Sequence, residues 1–138
     1  MIIRPYCAAD EAALLALWQE CDLLRPQNAP RKDIARKLKV NPEWFLVGEL
    51  DGGIVAAVMA GYEGHRGWIN YLAVSPARRR TGLGRALMVE AERLLRTAGC
   101  PKINLQVRTS NREVIAFYQQ IGFAPDDVVS LGKRLEVD

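Results

Sequence analysis

The residues with the clearest chemical potential in this 138-residue chain are Arg79-Arg80-Thr81-Gly82-Leu83-Gly84. They come after an apolar stretch at 68–74 and open directly into a helical pattern. A glycine-rich turn at a helix start exposes unpaired backbone N–H groups that suit phosphate oxygens. Its glycines let the backbone approach a ligand closely, and the neighbouring arginines add positive field. The pattern predicts an anion-binding site.

Two familiar phosphate motifs do not fit this turn. A P-loop requires Lys and then Ser or Thr after its last glycine, where this chain has Arg85-Ala86. A dinucleotide fingerprint requires a third Gly or Ala at the position of Leu87. It also requires an acidic residue at the end of the next strand, which here ends in Gln106-Val107-Arg108. The turn is therefore not predicted to bind a nucleotide in either of these ways.

A third phosphate motif does fit. The pattern Arg79-x-x-Gly82-x-Gly84 resembles the pyrophosphate loop of the GNAT superfamily of acyl-CoA-dependent N-acyltransferases. A second block, Asn111-x-x-x-x-Ala116-Phe117-Tyr118-x-x-x-Gly122-Phe123, resembles the helix of that family that carries a tyrosine acid. The resemblance extends through essentially the whole chain. The segments at 21–26, 61–67, 99–103 and 131–135 look like the bacterial YpeA-type branch, which implies an acetyltransferase.

The resemblance implies acetyl-CoA as cosubstrate, with backbone N–H groups of the turn around the pyrophosphate of coenzyme A. It also implies that backbone groups of the strand before the turn bind the pantetheine amides. An N–H near Leu72 is then placed to stabilise the thioester oxyanion. The predicted cofactor-binding residues are Leu72, Ala73, Val74, Arg79, Arg80, Thr81, Gly82, Leu83, Gly84, Arg85, Asn111 and Phe117.

Tyr118 is the predicted catalytic acid. It lies on the apolar stripe of its helix, where a core tyrosine is the ordinary interpretation, and the match to the second block favours catalysis. A phenol with a pKa near ~10 is protonated at neutral pH and can donate to a departing thiolate. Asn111 either reaches the cofactor or only supports the helix start.

The general base is the weakest part of the resemblance. Some relatives carry a Glu in a Leu-Glu-Val-Arg context, where this chain has Gln106, whose amide cannot accept a proton. Glu63 and His65, in the turn before the central strand, are the nearest replacements by sequence, and histidine is the side chain that most often acts as a general base. A solvent-facing turn explains both residues equally well. The remaining alternative is an amine that loses its proton to water.

The elements that position these residues are predicted from hydrophobic periodicity and turn signals. The strand–helix–strand run from 68 to 108 predicts a parallel crossover in an otherwise antiparallel sheet. The expected fold class is α/β (α+β), a single GNAT-like domain over 1–138 with a mixed, mainly antiparallel twisted sheet flanked by helices. Predicted in chain order are a strand at 1–4, a helix with the stripe Leu14-Leu17-Trp18-Cys21, a loop at 22–33, a helix at 34–39, strands at 44–50, 54–62 and 68–74, a helix with the stripe Leu83-Leu87-Ala91-Leu94-Ala98, a strand at 102–108, a helix capped by Ser110 with Glu113, and a strand at 128–135.

Composition limits the remaining function classes. A net charge of +3 is too small to argue for nucleic-acid binding, and the arginine cluster lacks interleaved aromatic residues. Cys7, Cys21 and Cys100 show no metal-ligand spacing and His65 is the single histidine, so neither a metal nor a disulfide framework is predicted. No apolar run approaches the ~20 residues that span a bilayer. We expect a cytoplasmic protein without a membrane partner.

The predicted function is transfer of an acetyl group from acetyl-CoA to a primary amine by direct attack on the thioester. The amine is either a small molecule or a protein group. Trp18, Arg25 and Asn28 are candidate acceptor contacts, whereas Trp44 and Trp68 are interpreted as packing residues. The alternative is a non-catalytic CoA-binding or regulatory module of the same fold.

Overall fold

A five-stranded sheet with strand order β1-β2-β3-β4-β5 organises the larger part of the chain. The computed structural model describes residues 1–26 and 28–138, in two compact units, Met1–Leu105 and Gln106–Asp138. The first three strand pairings are antiparallel, and β4 pairs with β5 in parallel. The predicted mixed, mainly antiparallel sheet is confirmed. The strands are β1 (Ile2–Pro5), β2 (Phe45–Leu50), β3 (Gly53–Tyr62), β4 (Gly67–Val74) and β5 (Ile103–Leu105).

Three of the described helices belong to the larger unit: α1 (Glu11–Glu20), α2 (Pro30–Lys37) and α3 (Leu83–Thr97). Helix α1 buries the predicted Leu14, Leu17 and Trp18. Helix α3 buries Leu95 rather than the predicted Leu94 and Ala98, because the stripe through Leu87, Met88 and Ala91 continues at 95. The connection between β4 and β5 through α3 is the predicted parallel crossover.

Two element boundaries in this unit differ from the prediction. Helix α2 begins at Pro30 rather than at 34, because proline is well tolerated in the first helical turn, where its missing N–H costs no hydrogen bond. Strand β5 covers only Ile103–Leu105 rather than 102–108, because its ladder with β4 ends where Leu105 meets Ile69. The predicted loop at 22–33 is correspondingly shorter.

The smaller unit contains α4 (Arg112–Gln120). Its N-cap is Asn111, whose side chain accepts a hydrogen bond from the Val114 N–H at 3.4 Å, so the predicted cap at Ser110 is one residue too early. The predicted strand at 128–135 is also wrong. A strand requires a neighbouring ladder, and no strand of the described residues pairs with this segment. Its apolar side chains are exposed, at 89% for Leu131.

One hydrophobic cluster of the larger unit lies between the sheet and helices α1 and α2. Phe45 is fully buried and stacks on Tyr6 with ring centroids 4.5 Å apart. Trp18 and Leu14 are also fully buried in this cluster. The tight connection from β2 to β3 forms because Asp51 and Gly52 both adopt positive φ, as the Asp-Gly signal predicts.

Gly67, the first residue of β4, is expected to tolerate no side chain. A Cβ placed there would lie 2.8 Å from the Cys100 Sγ and 3.3 Å from a Leu95 methyl. We expect Gly67→Ala to lower the free energy of unfolding by about 1–3 kcal/mol, as overpacking does. Gly53→Ala is the matched control, because its nearest neighbour would be 4.0 Å away. Equal denaturation midpoints for the two variants would contradict this.

A paired carboxylate near the N-terminus makes stability depend on pH. Both Asp10 oxygens accept hydrogen bonds from the Arg4 guanidinium at 2.8 Å, which lowers the pKa of Asp10 to about 2. An unfolded Asp has a pKa of about 3.9, so this pairing contributes about 2 kcal/mol above that pH and is lost as the pH falls through 2. We expect denaturant midpoints to fall from pH 5 to pH 2, and less steeply in Asp10→Asn.

The control for this effect is Glu90→Gln on α3. Glu90 pairs with Arg93 at 2.6 Å, but the Arg93 side chain is 62% exposed and an exposed helical pair contributes little. Glu90→Gln is therefore expected to leave the steepness of the acid dependence close to that of the parent. A parent profile parallel to that of Asp10→Asn would show that the Arg4–Asp10 pair is not the cause.

Candidate active site

The glycine loop (residues 79–84) leaves the start of α3 open. Arg80 and Gly82 both have positive φ, at 63° and 85°, so the chain turns sharply twice before the helix. Gly82 is the N-cap, and no side chain of the described residues caps this helix. The first intrahelical bond of this turn runs from the Ala86 N–H to the Gly82 carbonyl at 3.0 Å. The N–H groups before Ala86 are those that a helix cannot satisfy internally, and they suit an anion.

The arginines around the glycine loop divide into two groups. Arg78 donates to the Asp51 carboxylate at 2.9 Å and so ties the loop to the β2–β3 turn. The Arg79 side chain interacts with the Cys21 thiol after α1 and opposes the rise in the pKa of that thiol that burial causes. Arg80 and Arg85 are solvent-exposed. Arg78 and Arg79 therefore hold the loop in place, while Arg80 and Arg85 add exposed positive charge beside the helix start.

Strand β4 separates from β5 beyond Ile69. It pairs with β3 as far as Val74, but its pairing with β5 covers only Gly67 to Ile69. Within the described part of the chain, the edge of β4 beyond Ile69 therefore has no strand partner on the β5 side. The backbone groups that face that side have no ladder there, and such groups can bond to a ligand. The predicted Leu72, Ala73 and Val74 lie on this segment.

A β-bulge interrupts β4 at the same place. Ala57 pairs with Ala73 and Met59 with Asn70, so Tyr71 and Leu72 together face Val58. Tyr71 has φ 54°, in the left-handed region. Such a bulge leaves one residue out of the ladder and is frequent next to active sites. The predicted oxyanion donor, the N–H near Leu72, thus lies at an irregularity of the strand and not within a regular ladder.

Helix α1 and the segment after it contact the bulged strand. Trp18 stacks on Tyr71 with ring centroids 4.1 Å apart, and the Cys21 thiol donates to the Val74 carbonyl at 3.2 Å. Burial raises the pKa of Cys21. Trp18 is fully buried, so the prediction that it contacts an acceptor is wrong. Trp68, predicted to be a packing residue, is 37% exposed.

Glu63 and His65 are distant from this end of the sheet. Both are exposed in the turn between β3 and β4, before Gly67. Leu72 lies five residues beyond Gly67 along β4. At ~3.3 Å per residue, this places Leu72 roughly 15 Å from the turn. The Glu63 carboxylate accepts the Arg66 N–H at 2.7 Å, which lowers the pKa of Glu63 and makes it a weaker base. The structure does not bring these two residues together with the glycine loop.

In the smaller unit, Tyr118 lies on the buried side of α4. It is 7% exposed, and its ring packs edge-on against Phe117 and Phe123, with centroids 5.1 and 5.5 Å away. Burial raises the pKa of Tyr118 well above its usual value. The phenol therefore remains protonated at neutral pH, as a proton donor must. Asn111 serves as the helix cap, which is one of its two predicted roles.

The sequence matches a known family over most of its length. Residues 11–123 match the Acetyltransferase (GNAT) family. The chain belongs to the GNAT acetyltransferase family. Membership makes it an acyltransferase, and the predicted resemblance to this family is confirmed. The narrower assignment to the YpeA-type branch stays a prediction.

Individual relatives agree with this GNAT assignment. The chain is 47% identical to an acetyltransferase of Yersinia enterocolitica over 138 residues, all of this chain and 98% of that one. It superposes on Ard1 from Thermoplasma volcanium with a TM-score of 0.76 and 26% identity, over 89% of this chain and 82% of that one. It superposes on an aminoglycoside antibiotic 6'-N-acetyltransferase from Acinetobacter haemolyticus with a TM-score of 0.75 and 21% identity, over 99% of this chain and 100% of that one. This second likeness shows the fold alone.

Two features of this GNAT site were not found by sequence reasoning. The Tyr71 bulge has no sequence signal, because tyrosine is typical of regular strands. The contacts of Cys21 with Val74 and Arg79 join residues far apart in the chain. Across residues 1–26 and 28–138, no group of three or more His, Cys, Asp or Glu side chains is arranged to hold a metal, and no helix is long and apolar enough to cross a membrane.

Proposed function

We propose that this protein transfers an acetyl group from acetyl-CoA to a primary amine. The observation that carries the proposal is the uncapped start of α3, which follows the bulged end of β4 that has no strand partner on the β5 side among the described residues. The first feature suits the pyrophosphate of CoA and the second suits the amides of its pantetheine arm. Family membership supports both assignments.

The proposed reaction needs no covalent enzyme intermediate. The neutral amine attacks the thioester carbon, a C–N bond forms, and the C–S bond breaks after the carbonyl oxygen has taken up negative charge. The Leu72 N–H stabilises that oxygen. Tyr118 donates its proton to the departing CoA sulfur. The nitrogen of the product loses its extra proton to water.

Water is the proposed proton acceptor because Glu63 and His65 lie at the opposite end of β4, and Gln106 cannot act as a base. Glu63 is also fully exposed, with a lowered pKa. Removing either side chain is therefore expected to leave turnover unchanged.

The proposed acceptor class is a primary amine, without a narrower choice between a small molecule and a protein group. One structural neighbour is named an aminoglycoside antibiotic 6'-N-acetyltransferase, so the acceptor named for that protein is a small molecule. Arg25 pairs with Asp22 at 3.5 Å in the segment between α1 and α2. Arg25 and Asn28 remain candidate acceptor contacts in that segment.

The test has a binding arm and a chemical arm. Acetyl-CoA at about 100 times its Kd should stabilise the protein by about 2.7 kcal/mol and raise the melting temperature. Release of free CoA is then measured by chromatography against a panel of small amines and peptide N-termini. Chromatography avoids thiol reagents, which would also modify the exposed Cys7. Binding without CoA release for every amine would favour the non-catalytic alternative, and no melting shift would overturn the proposal.

A further inference from the structure

Tyr71 adopts a backbone conformation that a tyrosine in a strand does not take by default. Its φ is 54°, although Asn70 before it and Ala73 after it are both paired with β3. A bulky residue at positive φ is an outlier that persists only where its surroundings impose it. The surroundings of Tyr71 therefore impose this conformation.

Side chains from α1 and α2 contact Tyr71. The indole of Trp18, on α1, stacks on its ring at 4.1 Å with an interplanar angle of 19°. The phenol donates a hydrogen bond to the Asp33 carboxylate, on α2, at 2.7 Å. Trp18 is fully buried, so the tyrosine ring that stacks on it has little room to move. Stacking restrains the plane of the tyrosine ring, and the hydrogen bond restrains its outer end.

The extra residue at the Tyr71 bulge determines which side of the sheet the later residues of β4 face. Side chains and ladder groups alternate along a strand with a period of two, so one extra residue reverses the facing of every residue beyond it. Tyr71 and Leu72 share the single partner Val58, and the extra residue lies immediately at the proposed oxyanion donor. If the bulge relaxed, the Leu72 N–H would turn to a different direction.

We propose that Tyr71 is a positioning residue whose side chain, held between Trp18 and Asp33, maintains the bulge that directs the Leu72 N–H at the acyl carbonyl. This inference rests on the proposed function, because it concerns the same thioester. It makes α1 and α2 part of the catalytic geometry through contacts with β4. A merely structural role for Tyr71 would affect folding stability without affecting the carbonyl of a bound ligand.

The test reads the carbonyl directly. Acetyl-CoA labelled with ¹³C at the acetyl carbonyl is bound to the full chain, and its stretching band is recorded by isotope-edited infrared difference spectroscopy. In the parent we expect the band at lower frequency than in free acetyl-CoA, because a directed N–H polarises the carbonyl. Tyr71→Phe keeps the stack on Trp18 but removes the donor of the hydrogen bond to Asp33. Asp33→Ala removes the acceptor of the same hydrogen bond. Both variants should return the band towards the free value.

The conservative variant separates positioning from other effects. Asp33→Asn retains an oxygen that accepts the Tyr71 hydroxyl and should keep the parent band. With an amine found in the panel, Tyr71→Phe should lower kcat about tenfold with KM for acetyl-CoA nearly unchanged, a part of the effect of losing one oxyanion donor. The double variant Tyr71→Phe with Asp33→Ala should be no worse than either single variant.

The outcomes distinguish the two proposals. A parent that does not bind acetyl-CoA overturns the proposed function and this inference with it. A parent that binds acetyl-CoA but leaves the band at its free value overturns the inference and leaves CoA binding intact. A shifted parent band that both Tyr71→Phe and Asp33→Ala retain, with unchanged melting temperatures, overturns the inference alone.

Discussion

Tyr118→Phe is expected to lower kcat by about 10²–10⁴-fold, the range typical of losing a general acid, with the Kd for acetyl-CoA nearly unchanged. The change removes one hydroxyl from a ring that already packs against Phe117 and Phe123, so the fold should be retained. Without the phenol, the sulfur must leave as a thiolate. In the proposed mechanism the hydroxyl acts on the leaving group, so the loss should appear in CoA release and not in binding of acetyl-CoA.

The pH profile adds a second signature of this acid. Burial raises the pKa of Tyr118, so its protonated form persists to a higher pH than that of an ordinary tyrosine. A group that acts in its protonated form loses activity as the pH rises through its pKa. We therefore expect no decline of kcat attributable to this phenol below about pH 10, the usual tyrosine value.

Tyr6→Phe is the matched control for Tyr118→Phe. Tyr6 is 8% exposed, stacks on Phe45, and also has a pKa raised by burial. Loss of a buried phenol alone should therefore affect both variants similarly in thermal melting, while only Tyr118→Phe should lose turnover. If the two variants released CoA at the same rate, Tyr118 would not be the acid.

The glycine loop and the tyrosine helix could be predicted because their signals are local. Gly82 and Gly122 occur where the chain needs positive φ, and both are marked in the sequence by the pattern around them. The turn at Asp51 and Gly52 is predictable for the same reason. Helix α1 is predictable from its apolar stripe, since period and face are properties of adjacent residues.

The structural features that were not predicted correctly depend on contacts with residues far away in the chain. Nothing near Tyr71 indicates a bulge, because its conformation is imposed by Trp18 and Asp33, which come from other parts of the chain. The length of β5 depends on where β4 leaves the ladder. The apolar residues at 128, 129, 131 and 135 suit a strand, but a sequence pattern does not supply the neighbouring strand that makes one.

Gly82→Asp is expected to raise the Kd for acetyl-CoA by about 10²-fold and to abolish the melting shift that acetyl-CoA produces in the parent. A carboxylate about 5 Å from a phosphate costs roughly 3 kcal/mol at an effective dielectric constant of 20. Space is not the reason, since a Cβ at Gly82 meets nothing within 4 Å. The backbone is strained by any side chain there, because φ is 85°.

Gly99→Asp separates that strain from the loss of the anion site. Gly99 lies just after the other end of α3 with φ 88°, and its Cβ would also meet nothing within 4 Å. A carboxylate is favourable at a helix start and unfavourable at a helix end. Gly82→Asp should therefore destabilise the free protein no more than Gly99→Asp does, yet only Gly82→Asp should lose the response to acetyl-CoA. Equal responses in the two variants would mean that the pyrophosphate lies elsewhere, because the new charge would then be remote from it.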